Sequence, residues 1–231
     1  MPRWEVSPED TFRNLAKDFM AAWNGIAGRK DADIGRGNFL FGLLATVLLD
    51  WACRLCKGDW TGGALRALAR SLHDVERRYF TSLPTRVPLG VRRKGFDLPE
   101  SPCGSSGPPL LWALFDLIRN GQAQQYQEIP ARLEGDCYFW ISIKGADSGR
   151  TFADERPQPA SDHLAFCEYQ DGNLGIRVRA DIFFAHICSA IESSGILGRE
   201  LPFRYLERSW NVSRSDLIRC LEKGGHGRFS E

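Results

Sequence analysis

The chain has 231 residues, 43% of them hydrophobic and 26% charged, which is enough apolar material for a sizeable core and argues against a disordered or fibrous protein. Thirty basic against 29 acidic residues leave a formal net charge of +1, so no global field draws the protein to nucleic acid or to an anionic membrane, and any such contact must be a local patch. Seven cysteines, an odd number, follow an N-terminus, MPRWEVSPED, that is charged and polar, so reduced thiols and a cytoplasmic location are expected.

In chain order, Ser7-Pro8-Glu9-Asp10 combines a capping serine, proline at the first helical position and a carboxylate three residues after the cap. The helix it opens carries Phe12, Leu15, Phe19, Ala22, Trp23 and Ile26 on one stripe and ends at Gly25 and Gly28. Asn38 is expected to cap a second helix reaching about Cys56, apolar nearly all round and therefore central. Its longest apolar run, Phe39 to Leu49, falls short of the roughly 20 residues a membrane span requires. A third helix is expected from Gly63 to Phe80, with Leu65, Leu68, Leu72, Val75 and Tyr79 inward and Arg66, Arg70, Asp74, Arg77 and Arg78 outward. Prolines, glycines and the triplet Arg92-Arg93-Lys94 make Pro84 to Pro109 a long loop, with the triplet either a solvated turn or a phosphate-contacting arm.

Pro108 to Tyr126 then reads as a helix whose apolar stripe, Leu110, Leu114 and Leu117, leads into the polar block Arg119-Asn120-Gly121-Gln122-Ala123-Gln124. Polar groups at the end of a buried helix must be solvated, bonded to one another, or used. Cys137 to Ile143 is rich in aromatic and β-branched residues and is expected to be a strand. Tyr138, Trp140 and Lys144 share one face of it and could stack bases, or the aromatics could pack against a helix. Leu164 to Tyr169 and Leu174 to Arg179 flank Asp171-Gly172 and predict a hairpin. Asp181 is expected to cap a helix to about Ser194; helices over Pro202 to Ser209 and from Ser213 to Gly224 follow. The fold class is thus an α-rich α+β protein: a bundle of about four N-terminal helices over residues 1–130, then a small antiparallel sheet and three C-terminal helices over 131–231, packed together as one unit.

Four constellations could carry function. Cys53-x-x-Cys56 has metal-ligand spacing, but no second close pair exists, so core thiols are expected, with no metal or cofactor. His186 lies on an otherwise apolar helix and reads as a half-buried, satisfied histidine. Asn211-Val212-Ser213 followed by Leu217 looks like the turn and recognition helix of a helix-turn-helix, with Arg214, Ser215 and Arg219 outward to meet DNA; Glu207 stands where that pattern normally has a small residue. The fourth is the polar block itself. RNGQAQ resembles the Arg-x4-His signature of HEPN-family proteins, and residues 39–126 are similar to that family's bundle, a helix ending in RRYF preceding the one that bears the motif.

The resemblance implies a helical, dimeric protein that cleaves RNA with arginine and histidine or only binds partners, in bacterial antiviral defence. It maps the family's positions to Arg119, Asn120 and Gln124. A glutamine amide does not titrate near neutrality and cannot move the proton that metal-independent RNA cleavage asks of histidine. The expectation is therefore a non-catalytic binding module for RNA or a protein partner, using Arg119, Asn120, Gln122, Gln124, Arg92, Arg93 and Lys94. A DNA-binding regulator and a ribonuclease with a base from elsewhere, such as His73 or His186, are the alternatives. Arg119 and Asn120 could equally cap and cross-link a helix end.

Overall fold

A computed structural model describes residues 7–27, 38–57, 63–82, 109–120, 131–133, 138–145, 162–169 and 172–198. The first helix, α1 (Pro8–Ala27), begins as the capping pattern requires: Ser7 Oγ accepts the Asp10 amide at 3.0 Å and donates to the Asp10 carboxylate at 2.7 Å. Phe12, Phe19 and Trp23 are buried, and Leu15, Ala22 and Ile26 pack at the edge of the same core. Helix α2 (Asn38–Lys57) packs on α1, on the helices over 63–75 and 180–193, on the helical segment 115–120 and on the strand over 138–144, the central place expected of it, though Leu40 and Val47 stay exposed on its outer side. Cys53 is buried among its apolar neighbours, as a core thiol would be.

Helix α3 (Gly63–Val75) stops a turn earlier than periodicity suggests. Glu76 leaves the helical conformation at φ −152° and ψ 94°, and its carboxylate accepts the Arg78 amide, starting a separate 3₁₀ turn, Arg77–Phe80. Tyr79 is thereby carried off the helix axis and fully buried. An antiparallel bridge between Ser82 and Pro109, with the Leu110 amide on the Thr81 carbonyl at 2.9 Å, joins the two ends of the expected proline-rich loop.

The helix expected to run to Tyr126 is different in kind. Among the described residues it is α-helical over α4 (Leu110–Leu114) and continues as a π-helix, Phe115–Asn120, and residues 121–126 lie outside the described residues. Leu110, Leu111, Leu114, Phe115, Leu117 and Ile118 are buried, so the wider turn keeps the apolar side against α2.

The sheet is mixed, not antiparallel. Its order is β1-β2-β4-β3, with β1 (Ala131–Arg132) a two-residue edge, β2 (Tyr138–Lys144), β3 (Ala165–Glu168) and β4 (Leu174–Arg179). The β3–β4 hairpin forms as expected: Gly172 has φ 80°, and Tyr169 exchanges backbone bonds with Asn173 and Gly172. A hairpin offers two edges, and local pattern does not say which one docks. Here β4 docks beside β2, in parallel, because it is the longer strand and puts Ile176 and Val178 on the core side, whereas β3 is four residues long and leaves Phe166 63% exposed.

Helix α5 (Ala180–Ser193) follows β4 without a loop. Its cap position is Arg179, with no side-chain cap, so Asp181 is not the cap expected of it but a first-turn residue bonded to Arg179. Phe184 of α5 stacks on Phe19 of α1 with ring centroids 3.6 Å apart, and Phe139, Ile141 and Ile143 of β2 join the same core. The described residues all fall in one unit, Met1–Leu201; the helices expected beyond Pro202 lie outside the described residues. Among the described residues no helix is long and apolar enough to cross a membrane.

Candidate functional site

Two places in the described structure gather polar or aromatic side chains on a built frame. One is the outer face of the sheet. Alternation along β2 turns Phe139, Ile141 and Ile143 to the core and leaves Tyr138, Trp140, Ser142 and Lys144 half-buried on the other side. Tyr138 and Trp140 stand outside the hydrophobic core, which uses their neighbours Phe139, Ile141 and Ile143. The parallel register sets Trp140 beside Gly175, Ser142 beside Arg177 and Lys144 beside Arg179. The Tyr138 and Trp140 rings lie 6.3 Å apart at 50°. Tyr169, 44% exposed, lies over Gly175 so closely that a Cβ there would meet its ring at 3.0 Å. Arg177 is exposed, and Lys144 pairs with Asp162 at 3.4 Å. Three rings and two cations thus line one side of a rigid sheet.

The other is a polar knot where the 3₁₀ turn, the turn before β3 and α5 meet. Tyr79 Oη lies 2.8 Å from His163 Nε2 and 3.1 Å from His186 Nδ1. The Arg179 amide donates to His163 Nδ1 at 3.2 Å. Leu164, just after His163, sits at φ 54°, a conformation that costs a β-carbon residue on the order of 1–3 kcal/mol and persists only where its surroundings hold it. The hold is visible: Arg78 Nη1 donates to the His163 carbonyl at 2.9 Å, while its other nitrogens grip Glu76 at 2.8 and 2.6 Å. Arg179, almost wholly buried, pairs with Asp181 at 2.8 Å and with Asp162 at 3.3 Å.

Electrostatics follow from this packing. Burial pushes His163 down to about 3, helped by His186 and Arg78, so the ring is neutral. Burial also lowers His186, against the pull of the Glu76 carboxylate. Burial raises the Tyr79 phenol well above its ordinary value. The hydrogen bond from Arg78 holds Glu76 below the usual carboxylate range. Burial acts to raise Asp162, but Arg179 and Lys144 bring it down.

Of the residues expected to form a site, Arg119 and Asn120 end the π-helix, where their backbone is described and their side chains are not. Gln122, Gln124, Arg92, Arg93, Lys94, Arg214, Ser215 and Arg219 lie outside the described residues. His186 is half-buried and satisfied through Nδ1, as its apolar helix suggested. His163 carries no sequence signal, lying between a loop and a short strand, and its partner Tyr79 looks in the sequence like one more apolar position of a helix running to Phe80. Comparison of the chain with protein-family models, with curated proteins and with solved structures returns no match.

Proposed function

We propose that this protein is a non-catalytic binding module that recognises single-stranded RNA, the outer face of its sheet serving as a stacking platform. The observation that carries the reading is the set of Tyr138, Trp140 and Tyr169 around Gly175 with Arg177 alongside. Unstacked bases lie on aromatic faces whatever their sequence, and cations beside them meet the phosphates. Because the net charge is only +1, such a local arrangement is what RNA affinity would need. Arg119 and Asn120, which the HEPN-like resemblance singles out, add a second polar contact at the end of a π-helical turn, a distortion frequent at functional sites. The finer architecture that goes with this reading is a HEPN-like bundle of four N-terminal helices, a possible dimer unit, followed by the sheet and three helices. Cytoplasmic antiviral defence in a bacterium is the setting the resemblance suggests. The commitment of both His163 and His186 to Tyr79 favours binding over proton transfer.

The test is a shift assay with labelled single-stranded RNA at several salt concentrations. Tyr138→Ala and Trp140→Ala should each weaken binding by about 1–3 kcal/mol, the usual worth of one stacked base. Arg177→Ala should reduce the salt dependence. RNA binding indifferent to all three would remove the platform. Retention of a host protein without any RNA affinity would make the partner a protein. Cleavage abolished by Arg119→Ala would make the chain a ribonuclease. A shift seen only with duplex DNA, and lost with Arg214→Ala, would favour the helix-turn-helix reading.

A further inference from the structure

The polar knot has a direction that its distances impose. His163 Nδ1 accepts the Arg179 amide hydrogen, so in the neutral ring the proton must be on Nε2. That Nε2–H has Tyr79 Oη as its acceptor at 2.8 Å. The phenol oxygen is thereby the acceptor toward His163, and its own hydrogen is left for His186 Nδ1 at 3.1 Å. Tyr79 is fully buried, so an O–H turned elsewhere would be an orphaned donor, costing about 1–3 kcal/mol. With Nδ1 accepting, neutral His186 carries its proton on Nε2, and among the described residues that nitrogen has no partner.

We propose that this one-way chain, from the Arg179 amide through His163 and Tyr79, fixes His186 as an uncharged Nε2–H donor. A nitrogen that already bears a proton is neither a base nor a metal ligand, so the chain closes that nitrogen to proton abstraction and to metal binding, which deepens the non-catalytic reading above and rests on it.

The experiment is long-range ¹H–¹⁵N correlation on the full ¹⁵N-labelled chain at neutral pH. His163 and His186 should both give the pattern of a ring protonated at Nε2; a His186 ring protonated at Nδ1, or averaged between the two forms, overturns the chain. In Tyr79→Phe the His186 ring should relax to a mixture of tautomers, and retention of pure Nε2–H would show that Tyr79 does not set it. If that variant does not fold, the wild-type spectrum still decides.

Discussion

The aromatic core between α1, α2 and α5 and the buried centre of the polar knot, Tyr79, His163, Arg179 and Asp181, are both closed to water, yet they are held by opposite means. In the first, Phe19, Trp23, Phe41 and Phe184 meet face to face or tilted, with centroids between 3.6 and 6.0 Å, and a change is felt through lost contact area and an unfilled cavity. In the second, Tyr79, His163, Arg179 and Asp181 gain little from contact area, and each is tolerable only because another satisfies it. The contrast teaches that burial alone does not rank residues by importance. What ranks them is the state in which a substitution leaves the neighbours.

The largest effects should come from one deletion in each region. Phe184→Ala is expected to cost about 3–5 kcal/mol through the cavity against Phe19. Asp181→Ala should cost up to about as much, roughly 3–5 kcal/mol, because it leaves the buried Arg179 guanidinium with only the partly exposed Asp162 at 3.3 Å. Denaturant titration measures both, and a second change separates them. Arg179→Met added to Asp181→Ala should recover most of the loss, since it removes the stranded charge, whereas no charge removal restores Phe184→Ala. Failure of that recovery would mean the two regions are not held differently after all.

Next in size is a pH effect confined to the knot. A ring that is neutral in the folded protein down to about 3, but titrates near its ordinary value of about 6.5 when unfolded, lets the unfolded chain bind the extra proton between those limits. Its contribution is therefore fully present above about 6.5 and is lost as pH falls toward 3; the lowered His186 acts with the same sign. The melting temperature should fall steadily on acidification through this window, and His163→Gln should flatten the fall. An unchanged slope in that variant would show that His163 is not the group responsible. The smallest effect belongs to the exposed ion pair of Arg13 with Glu9, 2.7 Å long but open to solvent, where Arg13→Ala should cost less than about 1 kcal/mol.

The apolar core was legible because its signal is periodic. Phe12, Phe19 and Trp23 repeat at the spacing of a helix face, and their burial follows from that spacing with no knowledge of what lies opposite. The cap at Ser7 and the Gly172 turn were legible for the same reason, since each depends on residues within four positions of one another, whereas the Asn38 side chain, expected to cap α2, accepts the Gly145 amide from 107 positions away. The end of α3 was not: Glu76 is a good helix former, and it breaks the helix only because its carboxylate caps the Arg78 amide and Tyr79 has a buried partner to reach. The switch of α4 into a π-helix at Phe115 likewise has no local signature in a run of leucines.

Local residues alone thus settled that α1, α2, α3, β2, the β3–β4 hairpin and α5 form and which side of each helix is apolar, because those properties come from interactions a few positions apart. Three things waited for the folded chain: that β4 rather than β3 joins β2, that Trp140 and Arg177 come to one face, and that Tyr79 gathers His163 and His186 from 84 and 107 positions away. Partners so distant share no periodicity. They are chosen by which buried donor can be satisfied once the core has closed, and that choice exists only in three dimensions.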